Sequence, residues 1–170
     1  MGLLETFYPS EIQDSTYGID FENWTKKGYK GVIFDIDNTL VPHDADADER
    51  SKALFIKLKE LGFSTMLLSN NKEPRVKRFA KQVGSKYIFK AGKPSRKNYV
   101  KAMMEMGTNL SNTLFVGDQL FTDVWGAKRT GIYSILVKPI HPKEEIQIVL
   151  KRYLEKIVLF FYDRKINKKK

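Results

Sequence analysis

The chain has 170 residues, of which 42% are hydrophobic and 29% are charged, as is typical of one folded domain with a buried core. It has no cysteine, which excludes disulfide bridges and thiolate metal sites. The formal net charge of +10 favours anionic partners such as phosphate esters, anionic lipids or nucleic acids. The sequence has neither a secretory signal pattern nor an apolar run of the roughly 20 residues that cross a bilayer, so we expect a cytoplasmic protein.

The first 30 residues carry six aromatic side chains but show no helical or strand periodicity. We therefore predict that residues 1–30 form an irregular extension that packs over the rest of the chain. No internal repeat and no linker follows, so the sequence predicts a single domain over residues 1–170.

From residue 31 onward, apolar runs typical of strands alternate with helical patterns, which indicates βαβ units and a parallel sheet. Strands are predicted at 31–34, 63–68, 87–89, 113–116 and 132–137. Helices are predicted at about 46–61, 73–83, 95–106, 122–130 and 143–161. A glycine follows each of the first four helices, where a left-handed C-cap is favoured. The predicted fold class is α/β, a Rossmann-like parallel sheet flanked by helices.

Four predicted strands lead into side chains that suit phosphate chemistry. In chain order these are Asp35-Ile36-Asp37-Asn38-Thr39, Ser69-Asn70, Lys93 and Gly117-Asp118, with Asp123 shortly after the last. The carboxyl ends of parallel strands meet at one edge of an open α/β sheet, where ligands bind. We therefore predict an active site at that edge.

Asp35 and Asp37 are two residues apart where a buried strand ends, so their carboxylates repel unless a cation or a proton separates them. Magnesium prefers such oxygen ligands, and a carboxylate can also attack phosphorus to give an aspartyl-phosphate. The alternative is a surface turn, in which Asp and Asn are common. A second acidic motif, Asp118 with Asp123, favours the metal site, although Asp123 also suits the N-cap of the next helix.

Ser69 and Lys93 give weak signals taken alone, since Ser-Asn-Asn is common in turns and the chain has 30 Lys and Arg residues. At the ends of strands, however, the Ser69 hydroxyl can hold a phosphoryl oxygen, supported by backbone N–H groups. The Lys93 ammonium can neutralise phosphate charge and restrain Asp35.

The ordered set Asp35-x-Asp37-x-Thr39, Ser69, Lys93 and Gly117-Asp118…Asp123 resembles the haloacid dehalogenase superfamily of phosphotransferases over about residues 31–137. Within it, the longer motifs are similar to subclass IIIA, and more closely to the bacterial YqeG-type phosphatases, relatives of the mitochondrial phosphatidylglycerophosphatase. The resemblance implies an Mg²⁺-dependent phosphomonoesterase acting on a large or lipid phosphate such as phosphatidylglycerophosphate. The superfamily pattern does not require the basic C-terminal helix.

The resemblance also implies a role for each motif residue. Asp35 is expected to be the nucleophile, and Asp37 the acid that protonates the leaving group and later activates water. Mg²⁺ is expected on Asp35, on the main-chain carbonyl of Asp37 and on Asp118. Phosphate binding is expected from Thr39, Ser69, Asn70 and Lys93, and supporting roles from Arg75, Gly117 and Asp123.

The spacing between these motifs leaves no room for a large cap domain. One loop, one helix and one strand take up residues 36–68, and one helix and one strand take up most of residues 70–92. An open site suits a phosphate carried by a large or surface-bound molecule rather than by an enclosed small metabolite.

The predicted helix at 143–161 has an apolar stripe that we expect to pack on the core, formed by Ile146, Val149, Leu150, Tyr153, Ile157 and Phe160. Leu154, Val158 and Phe161 lie beyond that stripe, next to basic residues and a basic tail at 164–170 that we expect to be solvated and frayed. This extra apolar width fits either an interfacial helix on anionic lipid or a homodimer contact. The family resemblance favours peripheral attachment to the inner membrane face.

The net charge of +10 and the basic end of the chain also suit a nucleic-acid- or ribosome-associated binding protein with little or no catalysis. No nucleic-acid-binding module is recognisable in the sequence, and such a protein has no need of every acidic position. The enzyme is therefore the leading hypothesis.

Overall fold

The computed structural model describes residues 2–141 and 146–168, and its centre is a single parallel sheet. The strands are β1 (Glu11–Gln13), β2 (Gly31–Phe34), β3 (Ser64–Leu68), β4 (Lys86–Ile88), β5 (Thr113–Gly117) and β6 (Tyr133–Val137). Their order across the sheet is β1-β6-β5-β2-β3-β4, and every neighbouring pair is parallel. The predicted fold class is therefore confirmed.

Helices cover both faces of this sheet. They are α1 (Phe21–Lys26), α2 (Glu49–Glu60), α3 (Glu73–Val83), α4 (Arg96–Met106), α5 (Trp125–Thr130) and α6 (Ile146–Asn167), and a π-helical turn at Leu120–Val124 leads into α5. Successive side chains of a strand point to opposite faces. Phe34 accordingly packs with residues of α1, α2 and α3, whereas Ile33 packs with residues of α4 and α5.

The structure also confirms the absence of a large cap domain. Between Asp35 and Ser69 the chain forms only a loop, α2 and β3, and between Ser69 and Lys93 it forms α3, β4 and short connections. The carboxyl edge of the sheet is therefore left open.

The prediction of an irregular extension over residues 1–30 is wrong for two segments. Strand β1 pairs with β6 along Glu11–Gln13, and α1 follows at Phe21–Lys26 with the Asp20 carboxylate accepting a hydrogen bond from the Asn23 N–H at 3.0 Å. Three residues are too few to show the alternation typical of a strand. The partner of β1 is more than 120 residues away in the chain, and just before β1 the Ser10 N–H donates to the Ser134 carbonyl at 3.0 Å.

The prediction for the C-terminal helix needs two corrections. Helix α6 continues to Asn167, so the first part of the expected frayed tail is helical; residues 142–145 and 169–170, and the side chain of Ile146, lie outside the described part of the chain. Also, the stripe expected on the core is exposed: Leu150 is 66% exposed, whereas Val158, expected beyond the stripe, is only 4% exposed. The apolar periodicity located an apolar face of this helix but did not show which face is buried. The buried side also carries Arg152 and Glu155, which form polar contacts with the loop after β5.

We call the exposed side the apolar face of α6. It consists of Val149, Leu150, Tyr153, Leu154, Ile157, Phe160 and Phe161. Among the described residues, no helix combines the length and the apolar character that crossing a bilayer requires.

Candidate active site

The carboxyl edge of the sheet brings together the side chains that the sequence predicted there. Asp35 follows β2, Ser69 follows β3, Lys93 lies beyond β4, and Asp118 follows β5. An open cavity of about 340 Å³ lies at this edge. It is lined by Asp35, Asp37, His43, Ser69, Asn70, Asn71, Lys93, Gln119, Thr122 and Lys151.

Lys93 is buried between two carboxylates. Its Nζ donates to Asp35 Oδ1 at 2.6 Å and to Asp123 Oδ1 at 2.7 Å. Burial opposes the charged form of Lys93, but Asp123 and Asp35 outweigh it and raise the pKa of the ammonium above its ordinary value. Lys93 is therefore a fixed positive charge beside the predicted nucleophile.

Three carboxylates form the acidic part of the site. One oxygen atom from each of Asp35, Asp118 and Asp123 lies within 4.8 Å of the others, and all three residues are buried. Burial raises the pKa of Asp35 to about 7 against the opposing effect of Lys93, and burial together with Asp35 raises the pKa of Asp118. Mg²⁺ prefers oxygen ligands, and its positive charge would offset the repulsion between these buried carboxylates. The residues present therefore fit that ion.

Asp37 is not part of this acidic cluster; its carboxylate forms an ion pair with Arg75. Arg75 Nη2 donates to Asp37 Oδ1 at 3.0 Å, and the Asp44 N–H donates to the same oxygen at 2.8 Å. Burial alone would raise the pKa of Asp37, but Arg75 and the Asp44 N–H outweigh it and lower that pKa. Asp123, in contrast, is a member of the carboxylate cluster, although the sequence analysis gave it only a supporting role.

Asp123 also organises the loop after β5. Its Oδ2 accepts hydrogen bonds from the N–H groups of Asp118 and Gln119, each at 3.1 Å. A Cβ on Gly117 would lie 2.5 Å from that same oxygen, so glycine is needed for this close approach. Beneath the loop, the Tyr99 hydroxyl lies 3.0 Å from the Thr122 carbonyl and 3.2 Å from the Asp123 carbonyl.

The predicted phosphate-binding residues line the cavity or hold other residues of the site in place. Ser69 and Asn70 both line the cavity, but the Asn70 side chain also holds the main chain of Lys93, accepting from its N–H at 2.8 Å. The Ser69 hydroxyl accepts from the Asn71 N–H at 3.1 Å. Thr39 Oγ1 lies 3.3 Å from Asp35 Oδ2 and 3.0 Å from Asp118 Oδ1, between the two carboxylates.

Sequence reasoning missed two residues of α6 that bind the loop after β5, in addition to Lys151, which lines the cavity. Arg152 forms an ion pair with Asp118, and Glu155 accepts a hydrogen bond from the Leu120 N–H at 2.9 Å. Their only sequence signal is their spacing of three residues, which places both on one side of a helix. That side was not expected to face the protein.

Comparisons with known proteins agree with this geometry. The family model for haloacid dehalogenase-like hydrolases matches residues 44–131. "Probable phosphatase YqeG" of Bacillus subtilis (strain 168) is 35% identical over 164 residues, covering 96% of this chain and 95% of that protein. Phosphatidylglycerophosphate phosphatase 1, chloroplastic/mitochondrial, of Arabidopsis thaliana is 29% identical over 171 residues, covering 85% of this chain and 47% of the plant protein, so the match spans about half of that relative.

A solved structure extends the comparison of folds. The 3-deoxy-D-manno-octulosonate 8-phosphate phosphatase of Moraxella catarrhalis, solved with magnesium ion, phosphate ion and KDO, aligns with a TM-score of 0.50 at 22% identity, covering 68% of this chain and 73% of that one. Identity at this level speaks for the fold alone. Together with the family model and the Bacillus relative, it leads to one conclusion: the chain belongs to the haloacid dehalogenase-like hydrolase family.

Proposed function

We propose that the protein is an Mg²⁺-dependent phosphomonoester hydrolase that works through an aspartyl-phosphate on Asp35. The observation that carries this proposal is the buried cluster of Asp35, Asp118 and Asp123 around Lys93, at the open edge of a hydrolase-family sheet. The Bacillus relative named as a phosphatase supports the same chemistry. The family also argues against a nucleic-acid-binding protein without catalysis.

In the first half of the reaction, a carboxylate oxygen of Asp35 attacks phosphorus and the bond from phosphorus to the leaving oxygen breaks. Asp37 gives its proton to the leaving oxygen. In the second half, Asp37 takes a proton from water, whose oxygen attacks phosphorus, so that inorganic phosphate leaves and Asp35 is restored. Lys93 stays charged throughout and offsets the negative charge of the phosphoryl group.

Asp37 has to alternate between two protonation states in this scheme. In the free protein Arg75 holds its carboxylate ionised, which is the form that activates water. The negative charge of a bound phosphate ester raises the pKa of a nearby carboxyl, which favours the protonated form that the leaving group needs. Asp35 and Asp118, with the main-chain carbonyl of Asp37, would hold Mg²⁺, which when bound supplies further positive charge to the phosphoryl oxygens.

We propose a lipid phosphate, such as phosphatidylglycerophosphate, as the substrate. The cavity has no cap over it, which suits a phosphate attached to a large or surface-bound molecule. The Arabidopsis relative is named for phosphatidylglycerophosphate, which supports that lipid as the one to test first. Lys151 of α6 lines the cavity and adds a positive charge where the substrate would enter.

We further propose that the apolar face of α6 lies on an anionic bilayer. Its side chains are exposed, and helix α6 with the next residue carries six basic side chains against two acidic ones. Apolar side chains bordered by Lys and Arg are typical of helices that lie in the interface of anionic membranes. Since Lys151 belongs both to this helix and to the cavity, binding by α6 would bring the active site to the lipid surface.

The test of the catalytic proposal is Asp35→Asn. The wild-type protein should hydrolyse an aryl phosphate and phosphatidylglycerophosphate in detergent with Mg²⁺, and lose turnover when the metal is chelated. Asp35→Asn should lose turnover by about 10³-fold or more, because an amide cannot attack phosphorus. Circular dichroism should show that the fold is kept.

Asp46→Asn is the matched control, because it makes the same chemical change at an exposed carboxylate that pairs with Arg78 at 2.7 Å, outside the cavity. It should keep wild-type turnover. Equal rates for Asp35→Asn and the wild type would refute the nucleophile. Selective turnover of one small sugar phosphate, with none on larger esters, would refute the assignment of a lipid substrate.

A further inference from the structure

We propose that helix α6 clamps the Asp118–Leu120 loop and that Arg152 is a positioning residue that sets the protein's affinity for Mg²⁺. The superfamily pattern leaves this helix without a role. The inference rests on the metal site of the proposed function, and it adds a partner to that site from a distant part of the chain.

Two side chains of α6 hold the two ends of the loop. Arg152 Nη1 donates to the Asp118 carbonyl at 2.5 Å, and Arg152 Nη2 forms an ion pair with Asp118 Oδ2. Glu155 Oε1 accepts from the Leu120 N–H at 2.9 Å, and its Oε2 accepts from Arg152 Nη1 at 3.0 Å. The loop that carries Asp118 is thus bound at its first and last residues by the same turn of one helix.

These contacts are shielded from water. The Asp118 side chain is 0% exposed and the Arg152 side chain is 16% exposed. A shielded charge pair with several hydrogen bonds holds its geometry more firmly than an exposed one, because neither partner can exchange it freely for water. It also helps to account for the orientation of α6, in which Arg152 and Glu155 face the protein while the apolar face is exposed.

The two carboxylate oxygens of Asp118 have different neighbours. Oδ1 lies 3.0 Å from Thr39 Oγ1, which is also 3.3 Å from Asp35 Oδ2, so Oδ1 is on the side of the predicted nucleophile. Oδ2 is the oxygen held by Arg152. Arg152 therefore fixes the carboxylate from behind and leaves Oδ1 for a cation shared with Asp35. Loss of such a partner typically weakens metal affinity by about 10- to 100-fold.

Charge alone predicts the opposite result, which makes the proposal testable. Arg152 adds positive charge close to the acidic cluster, so its removal would strengthen the Coulomb attraction for Mg²⁺ if Arg152 had no positioning role. Weaker binding after removal of Arg152 therefore indicates positioning, and tighter binding indicates simple repulsion.

The experiment is isothermal titration calorimetry, in which Mg²⁺ is added to the metal-free full chain without substrate and the dissociation constant is measured. Arg152→Gln should raise the Mg²⁺ dissociation constant by about tenfold or more. Arg152→Lys should recover part of the affinity, because an ammonium keeps the charge but lacks the planar fork that reaches both the carbonyl and the carboxylate of Asp118. Arg164→Gln, on the same helix where Arg164 lies 4.7 Å over the Phe160 ring, should bind Mg²⁺ as the wild type does.

The outcomes separate this inference from the proposed function. If Asp118→Asn abolishes Mg²⁺ binding while Arg152→Gln leaves it unchanged or tighter, the positioning role is wrong and the metal site stands. If Asp118→Asn also keeps wild-type binding, the metal site of the proposed function is wrong. Should Arg152→Gln fail to fold, Arg152→Lys and Glu155→Gln replace it, and unchanged dissociation constants in both would overturn the proposal.

Discussion

At the residue scale, Lys93 is the side chain on which the site depends most. One buried ammonium pairs with two carboxylates, Asp35 and Asp123, and its main chain is held by Asn70. The Lys93 side chain is thus held on both sides, and the predicted nucleophile is held with it. A buried pair of this kind is costly to break, because the partner left behind stays charged without compensation.

Lys93→Met should therefore lower the free energy of unfolding by about 3–5 kcal/mol at neutral pH, measured by urea denaturation of metal-free protein. The loss should be largest above neutral pH and narrow as the pH falls to about 7. Lys93 opposes the effect of burial on the pKa of Asp35, so without Lys93 that pKa lies above its wild-type value of about 7, and protonation of Asp35 removes the unpaired charge. Lys77→Met, at an exposed position of α3, should change stability little. If Lys93→Met lowered the free energy of unfolding no more than Lys77→Met does, the stabilising role of the Lys93 ion pairs would be contradicted.

At the element scale, helix ends follow from local chemistry. Helices α3, α4 and α5 stop at Gly84, Gly107 and Gly131, each in the left-handed conformation expected for a C-cap glycine. Helix α2 begins after Asp48, whose Oδ1 accepts from the Ser51 N–H at 2.8 Å. The three helix ends lie where the sequence predicts them, whereas α2 begins three residues after its predicted start at about 46, because Asp48 serves as its N-cap.

Asp48→Ala should lower the free energy of unfolding by about 1 kcal/mol, as loss of an N-cap side chain usually does. Asp48→Asn should keep most of that stability, because an amide oxygen can accept the same hydrogen bond. Burial opposes the charge of Asp48, but the Ser51 contacts and Arg50 together outweigh it and lower the pKa of Asp48 from its ordinary value of 3.8.

A carboxyl with a lowered pKa in the folded state adds stability above its ordinary pKa and loses it as the pH falls through the folded value. The advantage of the wild-type protein over the Asp48→Asn variant should therefore be present at neutral pH and disappear below about pH 4 in thermal denaturation experiments. An advantage that is independent of pH would show that the carboxylate charge has no part in the cap.

At the scale of the whole molecule, α6 carries both the apolar face and Lys151, which lines the open cavity and follows Leu150 of that face in the chain. The opposite side of α6 carries Arg152 and Glu155, which contact the Asp118–Leu120 loop. A surface that binds lipid and a loop that binds metal are, in our proposal, joined by one helix. This arrangement would connect the proposed membrane contact directly to the proposed catalytic site.

We expect the protein to bind vesicles that contain anionic phospholipid, more weakly at high salt because the basic side chains are screened. The double variant Leu150→Ser/Leu154→Ser should reduce binding by about tenfold or more in a sedimentation assay, since each leucine loses apolar burial in the interface. Leu110→Ser, at an exposed leucine outside α6, is the control and should bind normally. Unchanged vesicle binding by the double variant, with a change in oligomeric state by light scattering, would assign the face to a contact between copies.

Much of the fold was predictable because it depends on local patterns. Strands β2, β3, β5 and β6 are mostly apolar segments of four or five residues, and parallel pairing alone requires their carboxyl ends to meet. The meeting of Asp35, Ser69, Lys93 and Asp118 at one edge follows from that geometry. The catalytic and metal-binding roles of these residues remain predictions until the variants are measured.

The parts that the sequence could not predict depend on distant contacts. Arg152 and Asp118 are 34 residues apart, and no sequence periodicity indicates a charge pair between residues so far apart in the chain. Strand β1 contains one apolar residue in three, so only its partner β6 identifies it as a strand. Tertiary pairing, rather than local propensity, decides both cases.

The position of β1 at the edge of the sheet has a consequence for how the chain folds. The ribosome makes β1 before every other strand, yet its partner β6 is made last, about 120 residues later. Until then β1 has no neighbour in the sheet, because β2 to β5 pair among themselves and with β6. Contacts between segments so far apart are slow to form, because a long loop must close before any pairing compensates for it. We therefore expect the nascent chain to reach a five-stranded stage first, with β1 docking as the final step of assembly.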